Sequence, residues 1–146
     1  MFKNILIIGF GMIGSSIARS VIKKYKNVNI FAFDKSNNLK IRINKSKLNN
    51  VKVLKSLQEI NNLNIDLIII CVPMLQYQSI FKKLSNINLD KTIVTDVGST
   101  KLNIEKLYNQ KKYKFNFIPS HPIAGIEKAG LEHGFDGLFT LSLIHI

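Results

Sequence analysis

The run Ile5-Leu6-Ile7-Ile8, followed at once by Gly9-Phe10-Gly11-Met12-Ile13-Gly14, constrains the fold more than any other stretch of the chain. Four contiguous apolar residues, mostly β-branched, read as a strand buried on both faces, hence a central parallel strand. From Met12 to Tyr25 the apolar residues Ile13, Ile17, Ala18, Val21, Ile22 and Tyr25 recur at helical spacing, and Lys23, Lys24 and Lys26 crowd the end where the macrodipole favours cations. A buried strand, a G-x-G-x-x-G loop and an amphipathic helix together open a βαβ unit that holds a dinucleotide. In that reading Gly9 permits the tight turn, Gly11 lets the backbone approach a pyrophosphate, and Gly14 allows close packing of helix on strand. The first-turn N–H groups, at Met12, Ile13 and Gly14, then face the anion, with Ser15 and Ser16 as further hydroxyl donors. The alternative is a tight turn with no ligand.

An acid stands where this unit needs one. Asp34 ends the second strand, Val28 to Phe33, about 20 residues beyond the loop, where a carboxylate accepts hydrogen bonds from the adenosine ribose and repels a 2'-phosphate. NAD is therefore the expected cofactor and NADP the disfavoured one, although Lys35 next door softens the repulsion. The bland reading of Asp34 is a solvated acid capping the next helix.

The rest of the chain repeats the alternation. Lys35 to Lys47 reads as a polar helical crossover, Val51 to Leu54 as a strand and Ser56 to Asn61 as a short helix. Ile65 to Val72 is the strongest strand signal, stopped by Pro73. A helix over Met74 to Leu84, a strand over Thr92 to Thr95, a helix over Thr100 to Gln110 and a strand over Phe115 to Ile118 follow. Strands alternating with helices predict an α/β fold, a doubly wound, mainly parallel sheet with helices on both faces and right-handed crossovers. No repeat or linker divides the 146 residues, and one domain is expected over residues 1–139, with 140–146 unassigned.

Composition removes several classes. Hydrophobic residues at 46% and charged residues at 21% exclude a disordered or fibrous chain. One Cys excludes a disulfide framework and a Cys-based zinc site and points to a reducing compartment, by default the cytoplasm. The net charge of +12 comes almost wholly from Lys spread among abundant Asn and Ile, whereas a nucleic-acid footprint calls for clustered Arg and aromatics. The apolar start has the outline of a signal peptide but lacks a cleavage site, and no apolar stretch approaches the roughly 18 residues of a membrane span.

In an open α/β sheet the ligand lies beyond the carboxyl ends of the strands. Four loops qualify: the glycine loop, Cys71-Val72-Pro73-Met74, Asp96-Val97-Gly98-Ser99-Thr100-Lys101, and Ser120-His121-Pro122-Ile123-Ala124-Gly125. Cys71 reads as a small buried hydrophobe, and Ser99 or Thr100 could simply cap the helix that follows. His121 has no such structural excuse, and a histidine just past a strand on the ligand side is a candidate acid or base. His133 and His145 lack that placement, and the three His make no metal-ligand spacing.

The run His121-Pro122-Ile123-Ala124-Gly125-Ile126-Glu127-Lys128-Ala129-Gly130, with Asp136 and Leu138-Phe139 after it, resembles the signature of the prephenate dehydrogenases, a family that includes arogenate and cyclohexadienyl dehydrogenases. Asp96 to Lys101 resembles the family's second motif and the glycine loop its first, in the right order. Ile126 departs from the small polar residue, usually Thr, of that pattern. The resemblance implies a Rossmann-type NAD-binding domain with Val72 and Pro73 beside the cofactor. It further implies that His121 accepts the proton of the substrate's ring hydroxyl, that Ser99 orients the histidine and the substrate, and that Gly125 and Glu127 line the substrate pocket. The implied reaction is the NAD-dependent oxidative decarboxylation of prephenate to 4-hydroxyphenylpyruvate in tyrosine biosynthesis, with no metal.

Family members bind the substrate's carboxylates with help from an arginine in a helical domain that also forms a homodimer. Arg19 and Arg42, in the first helix and the second crossover, cannot be that residue. The chain is therefore expected to be the cofactor-binding portion of a longer enzyme, able to bind NAD and inactive alone. The competing readings are an arogenate dehydrogenase, another NAD(P)-dependent dehydrogenase of the β-hydroxyacid type, and a non-catalytic dinucleotide-sensing module; the last has no use for His121.

Overall fold

The computed structural model describes residues 2–111, 113–124, 128–140 and 142, with the backbone of 144–145. Six parallel strands form one sheet in the order β3-β2-β1-β4-β5-β6. They are β1 (Asn4–Ile8), β2 (Asn29–Phe33), β3 (Val51–Val53), β4 (Leu67–Ile70), β5 (Ile93–Asp96) and β6 (Asn116–Ile118). The crossovers carry α1 (Met12–Lys24), α2 (Leu39–Lys45), α3 (Tyr77–Leu84) and α4 (Lys101–Gln110). This is the doubly wound topology, and its strand order reverses between β1 and β4, where a crevice must open.

The uninterrupted apolar runs follow from burial on both faces. Leu6 and Ile8 of β1, Ile68 and Ile70 of β4 and Val94 of β5 pack with Ile80, Phe81 and Leu84 of α3 and Ile104 of α4. Their sequence neighbours Ile5 and Ile7 point the other way, joining Ile30, Ala32, Ala18 of α1 and Leu39 and Ile43 of α2. The period-2 alternation of a strand thus serves two cores at once. Phe81 anchors the α3–α4 side, with Tyr77, Tyr108, Tyr113, Phe115 and Phe117 set edge-on around it at 5.2–6.2 Å.

Local chemistry trimmed several predicted elements. The fourth strand is Leu67–Ile70 rather than the whole of 65–72, because Asp66 turns its carboxylate onto the Lys3 and Asn4 N–H groups (2.7 and 2.8 Å) and Cys71 already belongs to the crevice. The crossover predicted over 35–47 is helical only over Leu39–Lys45. Leu57–Asn62 is a 3₁₀ turn with a capping box between Ser56 and Glu59, not an α-helix.

Beyond the sheet the chain doubles back. A two-residue strand β7 (His121–Pro122) pairs antiparallel with β8 (Ile144–His145), which gives part of the unassigned 140–146 stretch a place beside the candidate histidine. Between them, Leu131–His133 forms a 3₁₀ turn that drops Leu131, fully buried, into the α1–α2 core.

Candidate functional site

The carboxyl ends of β1, β2 and β4 border a cleft of about 580 Å³ lined by Gly9, Gly11, Asp34, Lys35, Cys71, Val72, Pro73 and Lys83, among others. Three glycines of the loop are there for three different reasons. Gly9 has φ +91°, and a Cβ on it would lie 2.7 Å from the Cys71 carbonyl, so the fold itself forbids a side chain. A Cβ at Gly14 would stand 2.3 Å from the Gly9 carbonyl oxygen, which is the close approach of α1 to β1. At Gly11 a Cβ would meet nothing within 4 Å. Among the described residues no atom requires that glycine, yet it is the N-cap of α1 and borders the cleft.

Met12 and Ile13 supply the first turn of α1, where N–H groups lack intrahelical partners and a positive end faces the cleft. Asp34 holds the loop in place: Oδ2 accepts the Phe10 N–H (2.8 Å) and Oδ1 the Ser36 N–H (2.9 Å). It turns the chain after β2 and presents a carboxylate at the cleft, but it does not cap the next helix, whose N-cap position is Asn38. Each oxygen keeps lone-pair capacity for a ligand hydroxyl.

Ser15 and Ser16 do not face an anion. Both are fully buried under α1; Ser15 Oγ lies 3.1 Å from the Leu131 carbonyl, and Ser16 Oγ donates to the Met12 carbonyl (2.7 Å) and accepts the Phe135 N–H (3.1 Å). Helical geometry explains the correction, since residues four and five past Gly11 have turned round to the side that packs on the segment after Gly130.

The second half of the site is organised by a residue to which the sequence reading gave no role. Asp96, at the end of β5, is fully buried. Its carboxylate accepts the Tyr77 hydroxyl (2.9 Å), the Gly98 N–H (2.8 Å), the Ser120 N–H (3.0 Å) and the Lys101 ammonium (2.6 and 2.7 Å to the two oxygens). Ser120 Oγ donates to the Asp96 carbonyl (2.6 Å), and Thr95 Oγ1 lies 3.1 Å from the same hydroxyl. A carboxylate stripped of water costs several kcal/mol unless it is paired and hydrogen-bonded, and here both conditions are met. Burial and the Asp96 charge together push the Tyr77 hydroxyl well above the usual phenol range and the half-buried Cys71 thiol well above the usual thiol range.

A signal for this hub was present: a lysine in the first turn of a helix opposes the macrodipole, and Lys101 stands there because Asp96 lies beneath it.

His121 follows Ser120 directly and is half-buried, with Pro122 buried behind it. Ser99 is exposed in the β5–α4 loop, and Thr100, the N-cap by position, makes no side-chain cap, so neither residue serves the capping role considered for it. Among the described residues, the side chains of Ser99 and His121 make no hydrogen bond, and the two loops are joined by Asp96 and Ser120 instead. Gly125, Ile126 and Glu127 lie outside the described residues. The arginines are engaged elsewhere, Arg19 with the Ser46 carbonyl (3.4 Å) and Arg42 with Glu132 (2.8 Å). Among the described residues there is no metal-binding cluster and no helix long and apolar enough to cross a membrane.

Comparison with known proteins agrees with this fold. Residues 17–144 match the family described as prephenate dehydrogenase, nucleotide-binding domain. The chain is 36% identical over 133 residues to a prephenate dehydrogenase of Lactococcus lactis, covering 88% of the chain and 36% of that protein. It is 32% identical over 139 residues to a cyclohexadienyl dehydrogenase of Zymomonas mobilis, covering 95% and 47%. Among solved structures, the prephenate dehydrogenase of Aquifex aeolicus in complex with hydroxyphenyl propionate and NAD+ superposes with a TM-score of 0.82 at 29% identity, over 99% of this chain and 50% of that one. The chain spans between a third and a half of the length of these relatives.

Proposed function

The chain belongs to the prephenate dehydrogenase family through its nucleotide-binding domain, and from that premise we propose that it binds NAD and serves the oxidative decarboxylation of prephenate to 4-hydroxyphenylpyruvate in tyrosine biosynthesis. The observation that carries the reading is Gly11. The fold demands Gly9 and Gly14, but Gly11 faces open space at the mouth of the cleft, so a glycine there serves something brought from outside. A pyrophosphate fits that description: it would lie against the backbone of Gly11, Met12 and Ile13 at the positive end of α1. The adenosine ribose would reach Asp34, and Val72 and Pro73 would border the path towards the nicotinamide.

NAD supplies a hydride acceptor. The protein's own part is to hold the cyclohexadienol and manage one proton. His121, neutral, accepts the proton of the ring hydroxyl as a hydride leaves the carbinol carbon, and Ser99 orients the histidine and the hydroxyl. The ring carboxylate departs as CO2, its bonding electrons complete the aromatic ring, and the proton returns to the phenolate oxygen. Gly125 and Glu127 line the substrate pocket in this scheme. The substrate's carboxylates need cations that Arg19 and Arg42 do not provide, since both are held on the α1–α2 side. We assign that task, and homodimer formation, to a part of the full-length protein beyond this domain, working in the cytoplasm.

The deciding assay is NADH formation by the full-length protein from prephenate and from arogenate, with NAD and NADP in turn. Prephenate with NAD should give the highest kcat/KM. A higher value with arogenate would reassign the substrate, and equal binding of NADP would remove Asp34 from the ribose. The 146-residue chain should bind NAD in calorimetry without turnover, because misplaced reactants lose factors of about 100 or more in rate. Ready turnover by this chain would mean that its lysines bind the carboxylates.

A further inference from the structure

Asp96 makes more contacts than a strand end needs. Its carboxylate touches four separate pieces of the chain: Tyr77 at the start of α3, Gly98 one residue before Ser99, Lys101 at the start of α4, and Ser120 one residue before His121. The two candidate functional side chains are thus each one peptide away from a donor to the same buried anion. The packing around it leaves no slack. A Cβ at Gly98 would stand 2.9 Å from Asp96 Oδ2, from the Tyr77 hydroxyl and from Ile104 Cδ1.

The Ser120 clamp is double, N–H to the side chain and Oγ to the main chain of the same aspartate. It acts at the end of β6, an edge strand whose residues are mostly solvent-facing. The β6 ladder with β5, the Thr95 contact with the Ser120 hydroxyl and the β7–β8 pairing also guide the chain here, but the two Asp96 bonds act on the residue immediately before His121.

We propose that Asp96 is the positioning residue of the reaction centre: through Gly98 and Ser120 it fixes Ser99 and His121 in one frame, with Lys101 balancing its charge and Tyr77 setting its rotamer. The inference rests on the roles given above to Ser99 and His121. It assigns Asp96 no contact with substrate or cofactor. Disturbing it must therefore lower kcat while leaving NAD affinity, which depends on the glycine loop, where it was.

The test uses the full-length protein and four variants. Asp96→Asn keeps the shape but loses the Lys101 charge pair and one acceptor oxygen; it should lower kcat at least 100-fold with the Kd for NAD within twofold of wild type. Ser120→Ala removes only the hydroxyl clamp and should lower kcat about tenfold, while Ser120→Thr, which retains a hydroxyl, should recover to within about twofold of wild type. Tyr77→Phe should cost less than Ser120→Ala. Should Asp96→Asn fail to fold, the alanine and threonine pair at 120 carries the test.

Near-normal kcat in Ser120→Ala, or equal loss in the alanine and threonine variants, overturns the proposal. A second readout does not need turnover: in the 15N-labelled 146-residue chain, Ser120→Ala should broaden or shift the His121 ring resonances and Ser120→Thr should restore them. A His121 ring unmoved by either variant sinks the positioning role even if the substrate assignment is correct. Absent turnover of prephenate and arogenate by the wild type sinks the functional reading instead, and the ring resonances then decide whether Asp96 sets the histidine at all.

Discussion

The two ends of the ligand edge are built on opposite principles. At β1, β2 and β4 the site is made largely by leaving things out: glycines without side chains, strands with apolar carboxyl ends, and a helix end without a side-chain cap. At β5 and β6 it is made by putting something costly in, a buried carboxylate with five short donor contacts. A nucleotide is bound largely through backbone and shape, so removal of side chains suffices for it. The proton transfer proposed for the β5–β6 end would need side chains held to fractions of an ångström, and a buried charge that bonds Tyr77, Gly98, Lys101 and Ser120 at once would supply that rigidity.

The sharpest break of the comparison is His121→Asn in the full-length protein. Removing the proton acceptor should lower kcat by about 10²–10⁴ while NAD binding, measured by fluorescence quenching or calorimetry, stays near wild type. A variant with near-normal turnover would take the histidine out of the chemistry.

At the cleft, Gly14→Ala and Gly11→Ala should separate stability from affinity. The Gly14 methyl would press on a backbone carbonyl, and such overpacking costs about 1–3 kcal/mol, to be read from a urea midpoint. Gly11→Ala should leave that midpoint unchanged or slightly raised, since Gly→Ala at a permissive φ such as −81° stabilises by roughly 0.4–1 kcal/mol. NAD should then bind about tenfold more weakly, roughly 1.4 kcal/mol. Tight NAD binding by Gly11→Ala would return the loop to a plain turn.

The smallest effect is expected at the opposite end of the strands from the cleft, where Asp66 joins β1 to β4. Its carboxyl is held below the usual range, chiefly by the Asn4 N–H and then the Lys3 N–H. The sign follows from the lowered value: the contribution is present above the unfolded-state pKa of 3.8 and is lost as pH falls through the lower folded one. Asp66→Asn should cost about 1 kcal/mol near pH 7, a cost that shrinks as acid protonates the wild-type carboxyl, with NAD affinity near pH 7 unaltered.

The same contrast explains what could be read in advance. The cofactor end was legible because its instructions are local: the run from Ile5 to Gly14 names strand, turn and helix in order, and Asp34 follows at a fixed interval. The position of His121, just past the last strand of the sheet, was legible too. Of the Asp96 hub only Lys101, in the first turn of α4, gave a local signal, because Tyr77 lies 19 residues before Asp96 and Ser120 24 after it, and spacing says nothing about whether they meet. Ser15 and Ser16 went astray for the same reason. Their neighbours, Leu131 and Phe135, come from more than a hundred residues away.

That last contact bears on the order in which the chain acquires its structure. Sheet and helices up to Ser120 can assemble from neighbouring βαβ units, whereas the groove between α1 and α2 stays open until the segment from Leu131 to Asp136 closes it. Closure brings one fully buried leucine, hydroxyl contacts at Ser15, Ser16 and Ser20, and ion pairs from Glu132 to Arg42 and from Asp136 to Lys23. During synthesis this clasp follows the six strands that it covers, and closing so long a loop is slow. Until it shuts, one apolar flank of the newborn sheet faces the cell, and quality-control factors have their longest opportunity there.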